Sequence, residues 1–235
     1  MTITYPLTFP TTIGLTDSNL KMRTSVSVNE SPFSFTQQVY NWQGERWEID
    51  VVLPLMKRAV AEQYKSFLAS LKGKFGTFLM YIPSSRENLG NYLDTSKQLL
   101  TISGDDITTI SGVDIWTSVG EPYCISGLVG SKALTLSGMV ASTPGALKAG
   151  DYFHIGTGSS TRLYKILKDV NSNSNGEATI DIFPALRRDI IHGEQIELEQ
   201  PRGLFRLNSN VTEFPSDYNN LFSLSFSAVE AISGT

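Results

Sequence analysis

Between Arg46 and Leu53 the chain reads Arg-Trp-Glu-Ile-Asp-Val-Val-Leu, and no other stretch restricts the fold as tightly. Trp47, Ile49, Val51 and Leu53 fall on one side of a pleated strand, while Arg46, Glu48 and Asp50 fall on the other. Such a strand must bury one face and can leave the other to water. Pro54 ends the run, because proline cannot donate to a ladder. The period then changes. Val60, Tyr64, Phe67, Leu68 and Leu71 form one stripe of an α-helix spanning about residues 57–72. Gly73 is suited to end that helix in a left-handed conformation, and Lys65 and Lys72 lie toward its C-terminal half, where cations suit the macrodipole.

The rest of the chain reads as strands and turns. Residues 21–53 look like a series of short strands, Phe75 to Ile82 like another closed by Pro83-Ser84-Ser85, and Phe205 to Val229 like two more. In the last of these Phe222, Leu224, Phe226 and Ala228 alternate against serines and other residues, which makes it amphipathic at period two. From about Tyr92 to Pro201, short β-prone runs are separated by Gly, Ser, Asn and Asp. Four similar triplets recur there: Ile102-Ser103-Gly104, Ile110-Ser111-Gly112, Ile125-Ser126-Gly127 and Leu136-Ser137-Gly138. Their unequal spacing argues against a solenoid and for strand-to-turn punctuation in a small barrel or sandwich. Turn signals at Ala149-Gly150-Asp151 and Asn173-Ser174-Asn175-Gly176 flank further strand-like runs at 152–155, 163–170 and 178–183. The expectation is a mainly β protein with one packed helix. A β-barrel or sandwich domain, residues 1–92 plus 201–235, is interrupted by an inserted small barrel-like domain, residues 93–200.

Charge limits the function classes. The net charge of -4 and pI near 5.2 argue against a protein that grips nucleic acid, which needs a basic footprint to release counterions. The acidity lies in the middle: residues 93–200 hold 8 Lys+Arg against 13 Asp+Glu. No apolar run is long enough for a membrane-spanning helix, and Met1 to Pro10 lack the pattern of a secretory signal, so synthesis in a cytosol is expected. The single cysteine, Cys124, is read as a small buried apolar residue.

Catalytic and metal-binding patterns are not evident. His154 and His192 sit in no triad motif, and with one cysteine they cannot supply zinc spacing. The run Asp169-x-Asn171-x-Asn173-x-Asn175-Gly176 fails as a calcium loop, because counting from Asp169 puts Ser174 at position six and Ile180 at position twelve, and counting from Asn171 puts Ile182 at position twelve. A hairpin turn explains it more simply. Asp105-Asp106 reads as a turn, and Glu194, Glu197 and Glu199 include opposite strand parities, so neither set makes a convincing carboxylate pair. Trp42, Trp47 and Trp116 could stack on sugars but suit core or interface packing better. No catalytic, cofactor-binding or metal-binding residue is assigned. The expected structural core is Trp47, Ile49, Val51, Leu53, Tyr64, Phe67, Leu68, Leu71, Phe222, Leu224 and Phe226, with Arg46, Glu48 and Asp50 on a surface or lumen face.

Two stretches resemble the distal tail protein family of bacteriophages. One comprises Gln38-x-Tyr40-x-Trp42, Gly44-x-Arg46-Trp47 and the helix ending Phe67-Leu68-Ala69-Ser70-Leu71-Lys72-Gly73-Lys74-Phe75-Gly76-Thr77-Phe78. The other comprises Leu147-Lys148-Ala149-Gly150-Asp151-Tyr152, Arg162-Leu163-Tyr164-Lys165, Gly176-Glu177-Ala178-Thr179, Phe183-Pro184-x-Leu186-Arg187 and Pro201-Arg202-Gly203-Leu204-Phe205-Arg206-Leu207. The order of these pieces carries the resemblance. It implies a virion protein assembled in the host cytoplasm, a non-enzymatic ring of six copies at the distal end of the tail tube. Such a ring joins the tube protein to hub and fibre proteins and lets DNA pass without specific binding. An alternative expectation is a carbohydrate- or receptor-binding module of the tail tip, acting through the inserted domain.

Overall fold

Strands dominate because β-branched and aromatic residues recur at period two between turn residues, and one helix forms where the period lengthens after Pro54. The computed structural model describes residues 3–83, 88–92, 94–98, 116–119, 122–214 and 221–232. Its elements are β1 (Leu7–Thr8), β2 (Asp17–Glu30), β3 (Gln37–Val52), β4 (Met56–Lys57), α1 (Arg58–Ser70), β5 (Thr77–Tyr81), β6 (Asp94–Gln98), β7 (Trp116–Val119), β8 (Tyr123–Ser126), β9 (Ala133–Ser137), β10 (Tyr152–Ile155), β11 (Arg162–Ile166), β12 (Ala178–Phe183), β13 (Ile196–Glu197), β14 (Arg202–Leu207), β15 (Leu221–Phe222) and β16 (Ser225–Glu230). The protein is mainly β, with a single α-helix among the described residues.

The chain divides into two compact units. The first comprises Met1–Ser84, Thr157–Arg162 and Arg202–Thr235, and the second Ser85–Gly156 and Leu163–Pro201. Residues 88–92, read from sequence as part of the outer domain, bond within the second unit: Leu89 N–H donates to Asp151 Oδ1 at 3.0 Å and Asn91 N–H to the Gly145 carbonyl at 3.1 Å. Residues 157–162, read as part of the insert, group with the first unit, where Arg162 Nη2 donates to the Ile232 carbonyl at 3.0 Å.

In the first unit a six-stranded sheet runs in the order β1-β5-β14-β16-β3-β2. β1 pairs parallel with β5, and every other pair is antiparallel. Burial alternates along β3: Trp47, Ile49 and Val51 are buried, while Arg46, Glu48 and Asp50 are half-buried on the opposite face. α1 covers the apolar face. Phe67 meets Phe9 and Phe78 edge-on, with centroids 5.5 and 5.6 Å apart, and Ala61, Tyr64, Leu68 and Leu71 are buried beside it. The Tyr64 hydroxyl accepts the Ile13 N–H at 3.2 Å and lies 3.2 and 3.3 Å from the Pro10 and Ile13 carbonyls, so the chain leading into β2 is tied to the helix.

Several local expectations are corrected. The region from 21 to 53 is one long hairpin rather than a series of short strands, because Ser, Asn and Gln residues there accept a ladder without an apolar alternation. The helix ends at Ser70, and Lys72 (φ 53°) and Gly73 (φ 65°) both turn left-handed, so Lys72 lies beyond the last turn. Lys65 Nζ instead sits 3.8 Å from the Phe222 ring centroid, a cation–π contact that leaves Phe222 half-buried rather than in the core. The amphipathic run expected over 222–228 divides into β15, paired with β4, and β16, paired with β3. Leu224 is buried between them, while Phe226 is half-buried with its ring against Phe9 and Phe78.

The second unit is a nearly closed six-stranded barrel in the order β13-β10-β11-β12-β9-β8. A bridge between Tyr123 and Gln195, with Cys124 N–H on the Glu194 carbonyl at 2.8 Å and Ile196 N–H on the Pro122 carbonyl at 3.1 Å, brings the first and last strands together. Closure leaves no long free edge. Cys124, Leu134, Leu136, Phe153, Tyr164, Ile166, Ile180 and Ile182 fill the interior. A separate antiparallel pair, β6 and β7, belongs to the same unit. The triplets at 102–104 and 110–112 lie outside the described residues, whereas those at 125–127 and 136–138 end β8 and β9. No helix among the described residues is long and apolar enough to cross a membrane.

Replacing Phe78, fully buried among four other aromatic rings, by Ala should cost about 3–5 kcal/mol in urea unfolding. Val28→Ser, on the exposed end of β2, should change stability by less than about 0.5 kcal/mol.

Candidate functional site

The β2–β3 hairpin outruns its own sheet. β16 pairs with β3 only from Val52 to Glu48, and at the end of that ladder Glu230 Oε2 accepts the Trp47 N–H at 3.1 Å. Beyond this point the two strands pair only with each other, from Arg23↔Arg46 to Glu30↔Gln37. A bulge shifts the register between Thr24 and Val26, where Gln43 takes φ 57° and its N–H donates to Asn41 Oδ1 at 3.0 Å. The result is a two-stranded arm: every residue from Lys21 to Gly44 is exposed except the half-buried Ser31, and among the described residues only Ile232 lines a cavity with its base.

The arm's chemistry is unlike an ordinary solvent-facing strand. Of the residues from Thr24 to Gly44, only Glu30 is charged, and four are aromatic: Phe33, Phe35, Tyr40 and Trp42. Val28 stands opposite Val39 with Val26 on the same face, and Tyr40 stands opposite Ser27 on the other face. The tip is held in shape. Ser31 N–H donates to the Thr36 carbonyl at 3.0 Å, Phe35 N–H to the Ser31 carbonyl at 2.9 Å, and Gln37 Nε2 to Glu30 Oε2 at 2.6 Å. Phe35 takes φ 55°, a costly backbone state for a bulky residue. Phe33 is 96% exposed and Phe35 74%. Depletion of charge with enrichment of aromatics is the composition of a macromolecular interface core.

At the arm's base the sheet face away from α1 carries a ladder of paired charges. Lys21 pairs with Asp50, whose other oxygen accepts from Ser227 Oγ at 2.6 Å. Arg46 donates to Glu48 Oε1 through Nε at 2.9 Å and Nη2 at 2.6 Å, and Arg23 Nη1 reaches the same oxygen at 3.2 Å. The Arg46 hydrogen bonds hold the Glu48 carboxyl below its ordinary range, and those from Lys21 and Ser227 do the same for Asp50. Arg46 and Glu48 thus form one cluster with Arg23, and Asp50 forms another with Lys21 and Ser227. Next to it a groove of about 470 Å3 is lined by Asp50, Glu213 and several serine and threonine residues together with Val52 and Val211.

The remaining sequence candidates are dispersed. His154 lies opposite Glu197 on the β10–β13 pair, and exposed His192 packs edge-on to Tyr123. Glu194 pairs with Arg188, while Glu197 and Glu199 are exposed. Burial pushes the Cys124 thiol up to about 12. Asp169, Asn171 and Asn173 spend side-chain oxygens on the N–H groups of Ala149, Gly145, Asn175 and Glu177, as turn-forming residues do. Among the described residues no group of three or more His, Cys, Asp or Glu could hold a metal ion. Trp47 is buried and Trp42 is on the arm; the Trp116 side chain and Asp105-Asp106 lie outside the described residues. Sequence reasoning missed the arm as a site, although the single charge across residues 24–44 was there to be read. No family model and no curated protein matches this chain.

Because Glu48 and Asp50 bind protons more weakly when folded, their contribution to stability is present in full above the unfolded carboxyl range and is lost as pH falls through the lowered folded values. NMR titration of the side-chain carboxyl carbons should place Glu48 below 4.5 and Asp50 below 3.8. Ordinary values for both would mean that the ladder is not formed in solution.

Proposed function

We propose that this chain is a non-catalytic structural component of a bacteriophage tail. Copies join head to tail into a ring at the distal end of the tail tube, six by the family resemblance, connecting the tube protein to hub and fibre proteins. The observation that carries this reading is the uncovered β2–β3 arm. A fourteen-residue edge strand without proline and, among the described residues, without an overlying helix is the kind of edge that monomeric proteins suppress.

The two edges of the first unit's sheet differ, β1 having two residues and β2 fourteen, so a contact between the arm and any other surface of a neighbouring copy joins unlike surfaces. Unlike-surface contacts give a ring if the rotation closes. The charge ladder is compatible with a watery channel for DNA. Lys21, Arg23 and Arg46 are already engaged by Glu48 and Asp50, which weakens their hold on phosphates, and a strongly basic lining would retain the genome. The resemblance implies a virion tail protein assembled in the host cytoplasm.

Purified full-length protein should form a closed ring visible by electron microscopy, with a mass by light scattering equal to a whole number of chains. Shortening the arm by replacing residues 25–43 with an Asn-Gly turn should leave both units folded by circular dichroism and abolish the ring. A protein that stays monomeric at high concentration, or forms only two-fold dimers, would overturn the proposal.

A further inference from the structure

We infer that Glu48 is the positioning residue of the β2–β3 arm: its carboxylate holds two facing arginines together on the rung at the arm's root, and removing its charge opens the arm there. The consequence for assembly rests on the ring reading above, whereas the behaviour of the root does not.

The ladder register sets two like charges face to face. Arg23 stands directly opposite Arg46, and like charges placed directly opposite on a sheet repel. Glu45, one rung further out, falls on the other face of β3 with Trp47 and is buried. On the arginines' own face the compensating group is Glu48, two positions inward. Its Oε1 accepts from Arg46 Nε at 2.9 Å, Arg46 Nη2 at 2.6 Å and Arg23 Nη1 at 3.2 Å. Lys21, which stands opposite Glu48, reaches past it to Asp50, and Ser227 takes the other Asp50 oxygen. Lys21, Arg23 and Arg46 therefore share two carboxylates, and the excess positive charge falls on the outer rung. The neighbouring strands add no anion beside Glu48: its β16 partner is Val229, and the residue beyond that on β14 is Arg206.

The rung also lies where repulsion would act on the whole arm. Glu48 is the last β3 residue in register with β16, so from Arg46 outward β3 pairs only with β2. The register shift between Thr24 and Val26 follows at once. Nor is the rung packed tight: Arg23 and Arg46 border a cavity of about 380 Å3, together with Ser25, Gly44 and Ile232. Few packed neighbours and a break in the ladder mark a place of low local stability, where one charge can decide the conformation. Both arginines are partly exposed, so water screens the repulsion and the effect is modest in size.

The test uses full-length protein, with amide hydrogen exchange compared between samples that light scattering shows to be in the same assembly state. Glu48→Gln keeps the shape of the side chain and removes its charge. Exchange across residues 24–45 should quicken about three-fold or more, while β5, β14 and the second unit stay unchanged. The acceleration should shrink in about 1 M salt, where charges are screened beyond about 3 Å. Arg23→Gln/Glu48→Gln, which leaves no facing charges, should return exchange to within about two-fold of the unaltered protein. Ring formation, weakened in Glu48→Gln, should recover with it. Unchanged arm exchange in Glu48→Gln would overturn the inference. So would an acceleration that the second substitution does not reverse, because lost hydrogen bonds and not repulsion would then govern the root. The expected exchange pattern in a chain that never forms rings would support the inference and overturn the ring reading alone.

Discussion

Among the described residues no third strand lies beside the β2–β3 hairpin from Arg46 to its tip, and that shortfall shapes the rest of the first unit. Backbone N–H and C=O groups on a free edge can be left to water, but valine, tyrosine, tryptophan and phenylalanine side chains on the same segment are exposed at a continuing cost. Within the sheet the same strands are well served: α1, Phe9 and Phe78 cover one face, and the ladder from Lys21 to Ser227 occupies the other. A single hairpin therefore passes from a supported setting to an unsupported one within a few residues.

The two faces of β3 explain why the hairpin can project without collapsing onto its own unit. Its apolar side chains are already committed to α1, and its polar side chains are tied across to β2 and β16, so the strand's direction is set before it leaves the sheet. The bulge at Gln43 and the bonded tip add local definition further out. Tertiary packing at one end and hydrogen-bonded turns at the other define the arm's two ends.

The second unit resolves the same physical problem differently. Six short strands curl until the first and last meet at Tyr123 and Gln195, so the edge is removed rather than offered. Its Asn, Asp and Ser residues serve turns, and its acidic groups are spread along loops and strand ends, several paired with lysine or arginine. The long uncovered strands among the described residues thus belong to the first unit, while the second presents loops and side chains.

Much of the architecture was legible in the sequence because backbone periodicity is local. Alternation over 46–53 specified a strand with unlike faces, the change after Pro54 specified the helix, and turn residues marked the small barrel. Which strand lies beside which is not local: that β16 stops at Glu48, leaving residues 21–44 uncovered, follows from the lengths and registers of strands far apart in the chain. The same holds for Phe222, whose place under Lys65 depends on β15 pairing with β4, and for the meeting of Arg46, Glu48 and Asp50 with Lys21, Arg23 and Ser227. Sequence alone determined which residues prefer strand, helix or turn, and that residues 24–44 are poor in charge. Only the tertiary structure decided that those residues stand in water, because exposure depends on what the remainder of the chain is long enough to cover.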